Sequence, residues 1–375
     1  MRYVICSGCG PAVRLREIER IVERKKTLEA FKKAAADRIL LLDGAMGTAV
    51  QNLQLKEADY RGDRFSKHPE DLKGNADILN LVRPEAIRVI HDSYLEAGAD
   101  IIETNTFNAT SISQADYGTA SLAHEINLEG ARIGRQAVDH FNNLTPDRPR
   151  FLAGSMGPTN KTLSLSPDVE RPEYRAVTFD EVEASYKEAA AGLVDGGVDF
   201  LLIETIFDTL NAKAAIAGVQ ELETERDIEI PVMLSLTVTD LSGRTLSGQT
   251  VEAFWNSVRH ARPLAIGVNC AFGAQDLRPF VKELSRLADC LLVAFPNAGL
   301  PDELGQYTEP PVETAAELGE WARSRLVNIV GGCCGTTPAH IRAIGEAING
   351  AAPRIPAASQ QTLRLSGLEA VSIGQ

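Results

Sequence analysis

Eight short apolar runs recur along the chain from residue 39 onward, with longer amphipathic stretches between them. In each run the apolar residues follow one another instead of alternating with polar ones. The runs are ILLLD at 39–43, DIIET at 100–104, RFLAG at 150–154, DFLLIET at 199–205, PVMLSLT at 231–237, LAIGVN at 264–269, CLLVAFP at 290–296 and VNIVGG at 327–332. Continuous apolar runs of this length are typical of strands buried on both faces, as in a parallel sheet.

The stretches between the runs carry the spacing and the end signals of helices. Residues 84–97 begin with a proline at a first helical position and are followed by Gly98. Residues 181–194, 251–259, 274–287 and 338–348 are further helical stretches. Eight strands joined by crossover helices predict an α/β fold, a (β/α)8 TIM barrel. The alternative is a doubly wound open sheet, whose dinucleotide-binding form is disfavoured because no GxGxxG motif follows the first run.

The two ends of the chain differ from the repeating part. Residues 2–38 contain ten Lys and Arg against five Asp and Glu, and residues 13–36 have apolar spacing of a helix. We therefore expect an N-terminal helical extension at 1–38, packed on the outside of a barrel at 39–350. From residue 351 the chain is rich in Ala and Pro, which is typical of a linker. We expect residues 351–375 to be this linker and the start of a following domain.

Composition and charge exclude several classes of protein. Asp and Glu number 51 against 38 Lys and Arg, a net charge of −13, which disfavours a nucleic-acid-binding protein. No apolar run approaches the length needed to cross a membrane. Six cysteines in 375 residues are too few for a disulfide scaffold, so we expect a reduced, cytoplasmic setting. Cys6 and Cys9 form an isolated CxxC that lacks the second pair of a zinc ribbon.

Cysteine-rich and glycine-rich segments follow two of the predicted strands, at the end where TIM barrels carry their chemistry. Cys333 and Cys334 lie in GGCCGTTP after the eighth run, and Cys270 follows Asn269 at the end of the sixth. In a closed ring one strand separates the sixth run from the eighth, so the three thiols can meet. Three thiolates with one open position are typical of a catalytic zinc site. Cys290 begins its strand, and we expect it at the opposite face as a small buried hydrophobe.

Carboxylates and small residues end the other runs. Asp43 is followed by GAMGT, whose backbone N–H groups are free to hold an anion. Glu103 and Glu204 end the second and fourth runs, and GSMGP ends the third. Around one barrel mouth these groups suit a zwitterionic ligand beside a soft metal. The carboxylates would take an ammonium group, the amides a carboxylate and the zinc a thiol, so an amino acid with a thiol side chain meets all three demands.

The segments DGAMGT, ETNTF, GSMGPT, DFLLIET, GVNC, FPNAG and GGCCGTTP resemble a known family. They are similar to the homocysteine-binding N-terminal module of cobalamin-dependent methionine synthase, within the zinc-dependent homocysteine S-methyltransferases. The resemblance covers roughly residues 38–350. The final RLSGLEAVSIGQ resembles the first residues of the folate-binding barrel that follows in that enzyme. The resemblance implies a methyltransferase of methionine biosynthesis.

The resemblance also implies roles for particular residues. The catalytic zinc ligands would be Cys270, Cys333 and Cys334. The residues that bind homocysteine would be Asp43, Gly44, Ala45, Met46, Gly47, Asn105, Ser155, Glu204 and Asn269. Zn²⁺ would activate the homocysteine thiolate, which would take a methyl group from methylcobalamin on another module and give methionine.

The methyl donor is not settled by the residues themselves, because the chain carries no DxHxxG-type cobalamin signature. A cobalamin-binding module would have to act in cis or in trans, with a folate-binding domain following this chain. A stand-alone enzyme that uses a sulfonium or betaine donor is one alternative. A non-catalytic barrel that holds zinc and a thiol ligand is another.

Overall fold

Eight parallel strands form a closed barrel in the computed structural model, which describes residues 11–359 and 362–374, with side chains from residue 24 onward. The strands are β1 (Leu40–Leu41), β2 (Ile101–Glu103), β3 (Phe151–Met156), β4 (Phe200–Ile206), β5 (Val232–Leu236), β6 (Ala265–Asn269), β7 (Leu291–Phe295) and β8 (Ile329–Val330). They are ordered β1-β8-β7-β6-β5-β4-β3-β2. A parallel bridge between Leu42 and Ile101 joins β1 to β2 and closes the ring. The predicted TIM barrel is confirmed, and an open doubly wound sheet is excluded.

The α-helices surround the barrel and follow the strands in order. The helix at Phe179–Gly196 begins with a capping box formed by Thr178 and Glu181. It ends at Gly197, whose backbone is in the left-handed conformation. None of the helices in the described part of the chain is both long and apolar enough to cross a membrane. The helices are α1 (Pro11–Asp37), α2 (Met46–Asn52), α3 (Glu57–Arg61), α4 (Leu79–Val82), α5 (Pro84–Glu96), α6 (Ser111–Gln114), α7 (Ala123–Leu144), α8 (Phe179–Gly196), α9 (Thr209–Arg226), α10 (Val251–Val258), α11 (Ala274–Leu287), α12 (Pro311–Arg323) and α13 (Pro338–Ile348).

The strands are buried on both faces, which explains their continuous apolar runs. In β4, Phe200 and Leu202 belong to the cluster that fills the barrel. Leu201 and Ile203, which alternate with them, belong to the layer between the sheet and the helices. Because successive side chains of a strand point to opposite faces, both sets must be apolar.

Helix α1 closes the N-terminal end of the barrel. Phe31 is fully buried there, with its ring centroid 5.2 Å from that of Phe151 and 5.0 Å from that of Phe200. After the helix, Arg38 forms a bidentate ion pair with the buried Asp100. The sequence predicts that this helix packs on the outside of the barrel. The structure shows a closer contact, because part of the helix completes the barrel core.

The C-terminal residues fold back onto the barrel. Strands β9 (Leu363–Ser366) and β10 (Ala370–Ile373) form an antiparallel hairpin against α10. The hairpin turn accepts a hydrogen bond at Leu368 O from the N–H of Thr250 (3.0 Å), and one at Gly367 O from Gln249 Nε2 (2.7 Å). These residues, expected to begin another domain, contact this barrel.

Candidate functional site

Three cysteine thiols meet at the C-terminal end of the barrel. Cys270 follows β6, and Cys333 and Cys334 follow β8. Their sulfur atoms all lie within 4.8 Å of one another, and Cys270 Sγ is 3.9 Å from Cys334 Sγ. Among the described residues this is the one group of Cys, His, Asp or Glu side chains arranged to hold a metal ion.

The backbone around the thiols takes conformations that few residues adopt. Cys270 and Ala271 both have left-handed backbones, with φ of 62° and 63°. Gly335 has a φ of 81°, and a Cβ atom on it would lie 2.1 Å from Cβ of Tyr307. A Cβ atom on Gly332 would lie 2.3 Å from Oγ1 of Thr336. The glycines of GGCCG are therefore required for the chain to turn both adjacent cysteines toward Cys270.

The thiols are hydrogen-bonded to one another. Hydrogen bonds from Cys270 and Cys333 lower the pKa of Cys334 to about 3. Hydrogen bonds with Cys270 and Cys334, together with burial, hold the pKa of Cys333 well above its usual value. Asn269 directs its Nδ2 toward Cys333 Sγ at 3.9 Å.

Three carboxyl groups lie at the C-terminal ends of β1, β2 and β4. Asp43 Oδ2 accepts the N–H of Glu103 at 3.0 Å, whereas Asp43 Oδ1 has no partner among the described residues. Glu103 Oε1 likewise has none. Glu204 Oε1 accepts the hydroxyl of Ser155 at 2.5 Å. Two carboxylate oxygens are thus left to bind something other than the protein.

Burial raises the pKa values of all three carboxyl groups, and neighbouring carboxylate charges raise those of Asp43 and Glu103 further. Burial, and then the charge of Glu204, raises the pKa of Asp43 well above its ordinary value. Burial and the charges of Glu204 and Asp43 do the same for Glu103. Burial raises the pKa of Glu204 to about 7, with a contribution from Cys270. A cationic group placed among these carboxyls would relieve their repulsion, so the site favours a ligand that carries an ammonium group.

A strained segment connects Glu204 to the thiols. Thr205 has a φ of 55°, which is unusual for a β-branched residue, and the pairing of β4 with β5 shifts register here. Thr205 donates its N–H to Asn269 Oδ1 at 3.0 Å, and its Oγ1 accepts from Asn269 Nδ2 at 2.8 Å. Ser235 donates to the same Asn269 Oδ1 at 2.7 Å. This network fixes the amide that faces Cys333.

The predicted anion-binding turn lies beside the thiol loop. The N–H of Ala45 donates to Oγ1 of Thr336 at 3.2 Å, which joins the turn after β1 to the turn after β8. A Cβ on Gly44 would lie 2.8 Å from that same oxygen, whereas Gly47 faces open space. Met46 begins α2, which has no side-chain N-cap.

Asn105 is placed differently from the other predicted residues. It is buried, and its Nδ2 donates to Ala76 O (2.8 Å) and to Asn80 Oδ1 (3.0 Å). These bonds hold the long excursion between β1 and β2 against the barrel. Asn105 therefore shapes the wall of the site.

The thiol group fits zinc by its geometry and its chemistry. Tetrahedral zinc with Zn–S bonds of about 2.3 Å places its sulfur ligands about 3.8 Å apart. The 3.9 Å between Cys270 and Cys334 sulfurs matches this spacing. Thiolates select soft metals such as zinc over magnesium or calcium.

One residue of the site carries no clear sequence signal, and another is absent from the set that the family resemblance implies. Glu103 is predicted only as a strand-end carboxylate that would take an ammonium group. Tyr307, which hydrogen-bonds Cys334, comes from the loop between β7 and α12, where no spacing points to the barrel mouth.

The other cysteines and histidines lie away from this group or are used elsewhere. Cys290 lies at the N-terminal end of β7, half-buried, as expected. His340 is bound through both ring nitrogens, to Thr337 and to the carbonyl of Glu309. Cys6 and Cys9 lie outside the described residues.

A closed α/β barrel with three clustered cysteine thiols and adjacent carboxyl groups defines a barrel protein whose mouth can accommodate a metal ion. The sequence profile of the homocysteine S-methyltransferase family matches residues 40–348. The chain therefore belongs to the homocysteine S-methyltransferase family, and this family consists of methyltransferases.

Two solved structures share the fold. The homocysteine methyltransferase MmuM from Escherichia coli in its metallated form is 24% identical, with a TM-score of 0.64, covering 82% of this chain and 96% of that chain. Its oxidized form is also 24% identical, with a TM-score of 0.63, covering 82% and 95%. At this level of identity the likeness extends to the barrel alone.

Proposed function

We propose that this chain binds homocysteine beside a zinc ion and catalyses transfer of a methyl group from methylcobalamin to the homocysteine sulfur, giving methionine. The observation that carries the proposal is the juxtaposition of a three-thiol group with two unpartnered, buried carboxylate oxygens. Membership of the homocysteine S-methyltransferase family supports homocysteine as the substrate. The metallated form of the E. coli homocysteine methyltransferase supports the presence of a metal.

Cys270, Cys333 and Cys334 would hold the zinc. When bound, the metal would lower the pKa of the homocysteine thiol and so supply a thiolate at neutral pH. Three cysteine thiolates are a strongly electron-donating ligand set, which preserves the nucleophilic character of a fourth sulfur. Asn269 would orient Cys333 through the contact at 3.9 Å.

The remaining residues would position the amino acid. Asp43, Glu103 and Glu204 would receive its ammonium group, and Ser155 would orient Glu204 through their hydrogen bond. The backbone of Gly44, Ala45, Met46 and Gly47 would face its carboxylate. No general base is required, because the substrate sulfur reaches the methyl group already deprotonated.

We propose a domain organisation that matches this function. Residues 39–350 would be the homocysteine-binding module, preceded by the extension at 1–38 that contains α1. The donor would be presented by a cobalamin-binding module in cis or in trans, and a folate-binding domain would follow residues 351–375. We also propose a cytoplasmic location, where reducing conditions keep the thiol group available for zinc.

The donor is tested by single-turnover transfer. Zinc-loaded protein is mixed with homocysteine and stoichiometric methylcobalamin, and methionine is measured by mass spectrometry. The proposal predicts methionine in the wild type and none with Cys333→Ala. Cys290→Ala is the matched control and should react like the wild type, because Cys290 lies at the other end of the barrel.

Turnover with a methylsulfonium or betaine donor, and none with methylcobalamin, would refute the cobalamin assignment while leaving homocysteine methylation in place. Homocysteine binding without turnover on any of these donors would instead support a barrel that only holds zinc and a thiol ligand.

A further inference from the structure

A cavity of about 710 Å³ lies at the end of the barrel opposite the thiols. One wall is α1, and another is the segment 352–356 after α13. The floor comes from residues that precede or begin β5 to β8, among them Pro231, Leu264 and Leu291. The volume lies in the range of small-molecule sites, about 300–1,000 Å³.

The cavity is positively charged in a chain whose net charge is −13. Lys32, Arg262 and Arg325 line it and are exposed, and Glu229 is the one acidic residue in the lining. The described part of the chain places no carboxylate within ion-pairing distance of these three cations. Their charges are therefore available to a ligand.

A fourth cation lies beneath the surface. Arg354 is 3% exposed and donates to the carbonyls of Ser285 (3.0 Å), Cys290 (2.8 Å) and Ala288. Three carbonyls accept hydrogen bonds from its guanidinium but do not neutralise its charge. Asp289, whose charge also acts on Arg354, is paired with Arg259 at 3.3 Å. A buried cation without a dedicated counter-ion makes the adjacent space favourable for an anion.

The apolar part of the lining defines the other half of the ligand. Leu28 and Ala35 of α1 face the cavity together with Pro231, Leu264 and Leu291. An inorganic anion would leave this surface in contact with water. An organic anion with an apolar body would cover it.

We propose that this cavity binds a small amphipathic organic anion, with its carboxylate, sulfonate or phosphate group near Lys32, Arg262, Arg325 and Arg354 and its apolar body against α1 and the strand starts. Such a ligand would contact α1, the barrel and the 352–356 segment at once. It would therefore stabilise the attachment of both chain ends to the barrel. The proposal is independent of the methyl-transfer reaction.

The test uses 8-anilinonaphthalene-1-sulfonate as the probe and N-phenyl-1-naphthylamine as its uncharged counterpart. Fluorescence titration measures the affinity of each for the intact chain. The charge reversals Lys32→Glu and Arg325→Glu remove lining cations. Lys33→Glu and Arg323→Glu are matched controls that make the same charge change at exposed neighbours outside the lining.

We expect the sulfonate probe to bind the wild type at least tenfold more tightly than the neutral probe. Each lining reversal should weaken sulfonate binding about tenfold, with less than a twofold change in either control. The neutral probe should be insensitive to all four substitutions. Equal effects of lining and control substitutions, or equal affinity for the two probes, would overturn the proposal. 1-Naphthyl phosphate and 1-naphthoate, titrated in the same way, distinguish a phosphate preference from a carboxylate preference.

Discussion

Replacing Asp43 by Asn tests whether the carboxyl group receives a cation. The substitution keeps the size of the side chain and an oxygen that can accept the N–H of Glu103, now at 3.0 Å. It removes the negative charge and replaces one of the two carboxyl oxygens, of which Oδ1 is unpartnered, with an NH₂ group. The fold should therefore survive, while a contact to an ammonium group should not.

The expected loss of homocysteine affinity follows from the value of one charged hydrogen bond. Such bonds contribute about 1.5–3 kcal/mol, which corresponds to roughly 10- to 150-fold in the dissociation constant. The stability of the free protein should increase, in contrast to the loss of affinity. Burial raises the pKa of Asp43 well above its ordinary value, so the ionised form costs stability as pH rises above about 4, the value for an unfolded chain. Removing the charge should stabilise the free protein at pH 8.

Asp77→Asn is the matched control. Asp77 is also buried, accepts one backbone N–H, from Asn108 at 3.1 Å, and has a pKa raised to about 7 by burial. Both variants should gain stability at pH 8, by about 1.4 kcal/mol for each pH unit spent in the window between the unfolded and folded pKa values. Only Asp43→Asn should lose homocysteine affinity.

The assay is calorimetric titration of homocysteine into zinc-loaded protein, with urea unfolding of the free protein at pH 5 and pH 8. A change of less than threefold in affinity for Asp43→Asn would refute the assignment of this carboxyl to the substrate. Equal losses in both variants would show that the effect is a general response to the loss of a buried carboxyl group.

Three further predictions concern the supporting structure. Thr205→Val removes the oxygen that accepts from Asn269 at 2.8 Å and should weaken zinc binding about tenfold in a chelator competition, whereas Thr205→Ser should not. Burial lowers the pKa of His91 to about 3. The free energy of unfolding of the wild type should therefore fall as pH drops below about 6.5, by about 1.4 kcal/mol per pH unit. Urea unfolding at pH 7.5 and pH 5 should show this loss in the wild type and not in His91→Leu. Phe31→Ala should cost about 3–5 kcal/mol of unfolding free energy in urea, since this fully buried ring fills the barrel end, and a loss below 1 kcal/mol would show that α1 is not part of the core.

The barrel could be predicted from sequence because its strands are buried on both faces. Alternate residues of β4, such as Phe200 and Leu201, belong to different apolar layers, and this produces a continuous run that is easily recognised. The meeting of Cys270 with Cys333 and Cys334 follows from strand order alone, since the strands that precede them are separated by one strand. Both features depend on the pattern of the chain rather than on local detail.

The roles of other residues could not be predicted, because they depend on tertiary contacts. Phe31 and Ala35 are ordinary apolar residues of a helix, and their insertion into the barrel end has no local signature. Tyr307 reaches Cys334 from a loop with no regular spacing. The left-handed backbone of Thr205 runs against the preference of a β-branched residue, so local rules predict the wrong conformation there.

In the proposed mechanism the three cysteines hold zinc and leave one position for the sulfur of homocysteine. The most direct measurement is zinc K-edge X-ray absorption of the reduced protein, with and without homocysteine. We expect one zinc per chain with three sulfur neighbours at about 2.3 Å, rising to four when homocysteine is added. A protein that takes up no zinc when fully reduced, or a sulfur count that homocysteine does not change, would contradict it.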